Sequence, residues 1–142
     1  MFPTDDWRIF ALGAALFAAL TAIFGKLGVV GVNSNLATWI RCLIILGVLA
    51  LILSYRGEWT GLTSLSSKTW WFLLLSGLAT GASWLCYYRA LQLGPVSKVA
   101  PVDKLSVAFA ILLAVIFLGE RPDLKTWLGG ALILAGSLVL VL

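Results

Sequence analysis

Three charged side chains stand close together inside one apolar stretch of the sequence. Lys98, Asp103 and Lys104 lie beside Pro101 in residues 96–105, VSKVAPVDKL. If this stretch crosses a membrane, each charge costs at least about 2.5–3.5 kcal/mol unless it meets a partner or water. Asp103 could simply neutralise a lysine. Because two lysines outnumber one acid, the stretch also predicts a positive site for a carboxylate or phosphate.

Four further residues could contact the same ligand. Lys26 and Arg41 lie about one turn from the ends of apolar stretches, where they could bind a ligand or extend to the membrane interface. Trp84 and Tyr88 are four residues apart, so a helix places them on one surface. They could stack on a substrate or take part in ordinary packing. We therefore predict a substrate site that includes these four residues.

Catalysis and metal binding have little support in the sequence. The chain has no histidine, and Cys42 and Cys86 each lie within an apolar run. No nucleophile and base can be placed together, no carboxylates cluster, and no glycine loop of the phosphate-binding type occurs. We expect neither an enzyme nor a resident metal or cofactor.

Composition predicts an all-α integral membrane protein. Hydrophobic residues make up 61% of the 142 residues and charged residues 11%, with a mean hydropathy of +1.05. Soluble domains carry about 25% charged residues. The net charge is +4, and the basic residues are distributed between the apolar stretches. This distribution suits a role in membrane topology better than nucleic acid binding.

The elements that position these residues are five predicted transmembrane helices in a single domain, residues 1–142. Each stretch is apolar all round over a length that crosses a bilayer, unlike the alternating pattern of a membrane β-barrel. Residues 1–8 lack the basic start of a signal peptide, so we expect a retained first helix. The predicted spans cover residues 7–30, 36–54, 70–93, 96–119 and 126–142.

Small residues predict where helices approach closely. Gly77 and Gly81 form a GxxxG pattern in the third span, and Gly129 and Gly136 mark a second small face in the fifth. Helices in lipid associate largely through close backbone packing at such residues. We expect tight contacts there, within the chain or between chains.

Several sequence pieces match a known family in the same order, and that order is more specific than any one piece. They are residues 87–96 (YYRALQLGPV), 101–102 (PV), 118–121 (LGER) and 127–136 (WLGGALILAG), with weaker matches at 24–26 (FGK) and 39–41 (WIR). Through them the sequence resembles the EamA-type domain of the drug/metabolite transporter superfamily over nearly its whole length. The resemblance implies a five-helix repeat that exports or exchanges small metabolites, amino acids or drugs by alternating access. Together with the positive site described above, it leads us to predict small polar or anionic metabolites, such as amino acids, as substrates, and the cell membrane, here the bacterial inner membrane, as the location.

Typical members of that superfamily carry two such repeats in inverted orientation, which implies an antiparallel homodimer here, or a heterodimer with a sister chain. Lys and Arg near helix ends set orientation. The tally is five against five, so we predict dual topology: Arg8, Arg56, Lys68, Arg121 and Lys125 against Lys26, Arg41, Arg89, Lys98 and Lys104. If Lys26, Arg41 and Lys104 are embedded, the N-terminus should face the cytoplasm.

Two other functions stay open at this point. The size also resembles small multidrug resistance proteins, which export cationic drugs. Those proteins carry an acid in their first span. The first span of this chain contains Lys26 and no acid. A membrane subunit that does not transport would suit the glycine-rich face of the fifth span equally well.

Overall fold

The structure, a computed structural model, describes residues 6–142 apart from the side chain of Thr63. Part of the N-terminal segment interpreted above, residues 1–5, lies outside the described residues. The described chain is 87% helical and has no strands, which confirms the all-α prediction. The elements are α1 Trp7–Gly28, α2 Ser34–Arg56, a 3-10 segment Glu58–Ser64, α3 Ser67–Leu93, α4 Val96–Asp103, α5 Leu105–Leu113, a π-helical turn Ala114–Leu118 and α6 Leu124–Val141.

Four of the helical stretches are long and apolar enough to cross a bilayer. They are α1, α2, the stretch Val96–Leu118 and α6, each within a few residues of a predicted span. Helix α3 has 27 residues, enough for the remaining span. Its mean hydropathy is lower because Ser76, Thr80, Ser83 and two tyrosines interrupt its apolar residues.

Polar residues and glycines begin and end these helices as the sequence suggests. The side chain of Asn33 accepts hydrogen bonds from the backbone of Asn35 and Leu36 and so caps the start of α2. Gly57 ends α2 in the left-handed region at φ 66°. Helix α3 ends just before Gly94 and Pro95, where the sequence predicted a stop.

The predicted fourth span is interrupted near Pro101. Pro101 has no N–H to donate to the carbonyl four residues earlier. After the proline, two backbone hydrogen bonds span three residues. The N–H of Lys104 donates to the Pro101 carbonyl at 3.1 Å, and that of Val107 donates to the Lys104 carbonyl at 3.0 Å. These tighter bonds separate α4 from α5. The Val96–Leu118 stretch ends at Gly119, which is left-handed at φ 67°.

The chain divides into two compact units. The first contains the described part of Met1–Phe24 together with Leu93–Leu142. Within it, α4 and α5 pack against α6. A Cβ added at Gly130 would lie 2.8 Å from Cδ1 of Ile111, so a glycine permits this close approach. The prediction of one domain over residues 1–142 stays a prediction.

The second unit is Gly25–Gln92, which comprises the last turn of α1, α2, the 3-10 segment and α3. Its most buried side chains are Val29 and Leu91, at 2% and 0% exposure. Gly25 allows α1 and α3 to approach closely, since a Cβ there would lie 3.3 Å from both Tyr88 and Leu91.

The glycines predicted to make tight contacts have open space beside them among residues 6–142. A Cβ added at any of them would meet nothing within 4 Å, and this holds for Gly77, Gly81, Gly129 and Gly136. Their predicted contacts, within the chain or between chains, stay a prediction. Among the glycines of the described residues, Gly25 and Gly130 make the close approaches.

Candidate functional site

In the second unit, α2 and α3 bring together three residues of the predicted site. The guanidinium carbon of Arg41 lies 4.3 Å from the ring centroid of Trp84 and 5.3 Å from that of Tyr88. Their spacing of four residues on α3 places both rings on the side that meets Arg41. A guanidinium over aromatic faces is a cation–π arrangement, which is stabilising when water is largely removed. We call Arg41, Trp84 and Tyr88 the aromatic–arginine cluster.

The charge of Arg41 is not neutralised by an acid. The ion pairs among residues 6–142 are Arg56 with Glu58 at 2.7 Å and Lys104 with Asp103 at 3.0 Å. Arg41 is half-buried, and no side-chain nitrogen in this part of the chain is both buried and without a hydrogen-bond partner. The guanidinium donors are therefore accessible. A guanidinium presents five N–H donors in a planar fork that matches a carboxylate or phosphate.

Tyr88 forms the buried side of the cluster. It is 6% exposed, whereas Trp84 is half-buried. Its ring meets Tyr87 edge to face, with centroids 6.4 Å apart and planes at 65°. Gly25 leaves room for the Tyr88 hydroxyl, since a Cβ there would lie 3.3 Å from that oxygen. The lack of a side chain at Gly25 is what lets α1 approach the tyrosine so closely.

Trp84 differs from the other tryptophans, as the sequence suggests. Tryptophans enriched at a membrane interface are expected near helix ends. Six tryptophans lie at or near the ends of the predicted spans and are more than 40% exposed, namely Trp7, Trp39, Trp59, Trp70, Trp71 and Trp127. Only Trp84 lies in the middle of a predicted span, and it packs against Arg41.

Lys26 is held by the backbone of α3. Its ammonium donates a hydrogen bond to the carbonyl of Leu91, which lies in the last turn of that helix. Sequence reasoning missed Gln92, which lies in the same region. The Gln92 amide donates to the carbonyls of Val29 and Val32, just beyond α1, and Arg89 donates to the Gln92 side chain at 3.0 Å. A lone glutamine in an apolar run was the available signal.

Lys98, Asp103 and Lys104 belong to the first unit. Lys104 pairs with its neighbour Asp103 at 3.0 Å, the charge balance considered above, and their side chains remain 52% and 36% exposed. Lys98 is exposed and forms no ion pair within residues 6–142. Their assignment as substrate ligands stays a prediction.

The connection between α5 and α6 forms a cavity of about 330 Å³ in the first unit. Its walls are Ile111, Glu120, Arg121, Pro122 and Thr126. Asp123 caps α6 beside it, accepting hydrogen bonds from the Thr126 hydroxyl at 2.6 Å and the Thr126 backbone at 2.9 Å. These bonds lower the pKa of Asp123, because they stabilise the carboxylate form.

Comparison with known proteins adds a family and three relatives. The model of the EamA-like transporter family matches residues 7–142. A Sinorhizobium protein, an uncharacterized transporter in the cobO 3' region, is 51% identical over 96% of this chain and 97% of its own length. The uncharacterized transporter YxxF of Bacillus subtilis is 32% identical over 90% of this chain. Human solute carrier family 35 member G1 is 34% identical over 89% of this chain.

Two of the three relatives are longer than this chain. The match covers 40% of the Bacillus protein and 34% of the human protein. No solved structure matches the chain.

Proposed function

The chain belongs to the EamA-like transporter family, and we propose that this membrane transporter moves small polar or anionic metabolites, such as amino acids, by alternating access as an antiparallel dimer. Its place would be the cell membrane, the bacterial inner membrane. The observation that carries the substrate class is the accessible, unpaired Arg41 in the aromatic–arginine cluster.

Arg41 belongs to a helix that is long and apolar enough to span a bilayer. A cation in such a helix is costly unless a partner, water or a ligand meets it, and such residues commonly mark substrate paths. Two aromatic faces offset part of that cost, but they leave the N–H donors unused. An anionic group would complete the coordination, and the rings would contact its apolar part.

The dimer rests on the length of the family members and on charge. The chain aligns with well under half of two relatives, so longer transporters exist in this family. Transporters with inverted repeats place their site between two repeats of opposite orientation. A second, inverted copy would supply the missing repeat, and the even tally of Lys and Arg favours insertion in both orientations.

Reporter fusions at the C-terminus test the topology. One fusion carries a fluorescent protein, which reports C-terminal ends in the cytoplasm. The other carries alkaline phosphatase, which reports C-terminal ends in the periplasm. We expect both reporters to be active. Activity of one reporter alone would contradict dual insertion by this chain and would favour a sister chain as partner.

Reconstitution tests the substrate class. Purified protein in liposomes is offered radiolabelled glutamate, alanine, lactate and phosphate, with tetraphenylphosphonium as a cationic control. We expect saturable uptake of at least one metabolite, and none of the cation, because Arg41 repels positive charge. Preference for the cation would support a drug exporter. No uptake of any compound would support a subunit that does not transport.

A further inference from the structure

The C-terminal ends of α1 and α3 exchange hydrogen bonds in both directions. Lys26 on α1 donates to the carbonyl of Leu91 on α3. Gln92 on α3 donates to the carbonyls of Val29 and Val32, which follow α1. Each helix thus supplies a side chain that satisfies carbonyls at the end of the other.

The carbonyl of Leu91 lies in the last turn of α3, and that of Val29 directly follows α1 and also accepts from the Val32 backbone at 3.4 Å. The last four carbonyls of an α-helix have no intrahelical donor, and an unsatisfied buried carbonyl is costly. The end of a helix also carries partial negative charge, so an ammonium is favoured there. The Leu91 and Val29 side chains are the most buried in the unit, and the hydrogen bonds to their carbonyls are partly buried. The donor group of Lys26 therefore has a structural use.

The exchanged bonds enclose the contact between Gly25 and Tyr88. Gly25 directly precedes Lys26, and Tyr88 lies one turn before Leu91 and Gln92. At Gly25 a Cβ would approach the Tyr88 hydroxyl and Leu91 Cδ1 to 3.3 Å each. The distance between the helix ends thus sets how deeply Tyr88 is buried. The ring of Tyr88 is one of the two aromatic rings that Arg41 contacts.

We propose that Lys26 and Gln92 are positioning residues that form a reciprocal clamp, holding Tyr88 in place for substrate binding at Arg41. The proposal rests on the function proposed above, and it takes Lys26 out of direct contact with the substrate. The clamp acts through backbone carbonyls, so its effect depends on a hydrogen-bond donor rather than on charge.

Hydrogen exchange in detergent micelles tests the clamp without any transport. The variants are Lys26→Met and Gln92→Met, which keep length and remove the donor. Lys68→Met, in the exposed first turn of α3, is the matched control. We expect amides in residues 25–32 to exchange about two- to tenfold faster in both test variants, the effect of losing one hydrogen bond. The control should exchange like the wild type, and unchanged exchange in both test variants would overturn the proposal.

Uptake kinetics test what the clamp positions. The probe is whichever of labelled glutamate, alanine, lactate or phosphate the wild type moves fastest. We expect Lys26→Met and Gln92→Met to raise KM by similar factors, about two- to tenfold, with little change in turnover. Lys26→Arg keeps a donor and should restore the wild-type KM.

A direct role for Lys26 predicts a different pattern. Uptake lost in Lys26→Met but unchanged in Gln92→Met would mean that Lys26 contacts the substrate, which overturns the proposal. If the wild type moves none of the four compounds, the proposed function fails. Hydrogen exchange then still decides whether the clamp exists.

Discussion

Replacing Arg41 by methionine removes the guanidinium but keeps most of the apolar stem, and it should weaken substrate binding strongly. A hydrogen bond to a charged group contributes about 1.5–3 kcal/mol. Since about 1.4 kcal/mol changes affinity tenfold, we expect KM to rise about 10- to 150-fold. Turnover should change less, provided that the variant still binds.

The structure also predicts that the variant folds. The guanidinium carbon lies 4.3 Å and 5.3 Å from the centroids of Trp84 and Tyr88, and a cation–π contact at an accessible site is worth about 0.5–1 kcal/mol. Loss of that amount should lower Tm slightly without unfolding the protein. Arg41→Lys keeps the charge and loses the planar fork, so its KM should lie between those of the wild type and Arg41→Met.

The assay is uptake into liposomes over a range of substrate concentrations, with protein incorporation measured for each variant. Arg8→Met is the matched control, because the Arg8 guanidinium lies 5.6 Å from the centroid of Trp7 at the start of α1, where we assign no substrate contact. Its KM should equal that of the wild type. An unchanged KM in a folded Arg41→Met protein would refute the assignment of Arg41 as the anion ligand.

Three further substitutions have expected outcomes. Asp103→Asn should alter the pH dependence of uptake, because coupling of transport to protons needs an acid in the path and Asp103 is the one acid that the sequence places well inside a predicted span; an unaltered pH profile removes it from that role. Asp123→Asn should have a lower Tm than the wild type above pH 3.8, the ordinary pKa of this carboxyl group, and the same Tm at low pH. Because the pKa of Asp123 is lowered in the folded protein, its carboxylate stabilises the fold above that pH, and the stabilisation disappears as the pH falls through the lower pKa. Gly25→Ala should lower Tm more in the wild type than in the Tyr88→Phe background, because the added Cβ meets the Tyr88 hydroxyl at 3.3 Å; equal shifts in thermal denaturation would contradict this contact.

Much of the site is within reach of sequence reasoning because its residues are exceptional in their surroundings. Arg41 is a charge in an apolar stretch, and Trp84 is a tryptophan away from the helix ends. Their pairing could not be predicted, since it depends on how α2 and α3 are rotated and how closely they approach. Gln92 was overlooked because it carries no charge, although it bonds two carbonyls.

The glycines illustrate the same limit. Gly77 and Gly81 have the spacing of a contact motif, yet a Cβ added at either would meet nothing within 4 Å in residues 6–142. Gly25 belongs to no such motif and makes the close approach to Tyr88. A spacing pattern states which face of a helix is small, whereas a contact also requires a second helix at that face.

The amino-acid sequence by itself determined that this protein is helical and membrane-embedded, because apolar length and backbone hydrogen bonding are local properties that add along the chain. The position of the helix ends follows from the same local rules, through Asn33, Gly57 and Pro95. Only the tertiary structure decided which polar groups meet. Arg41 lies on two rings and Lys26 on the Leu91 carbonyl because side-chain partners depend on the distance and rotation between helices, which no local pattern records.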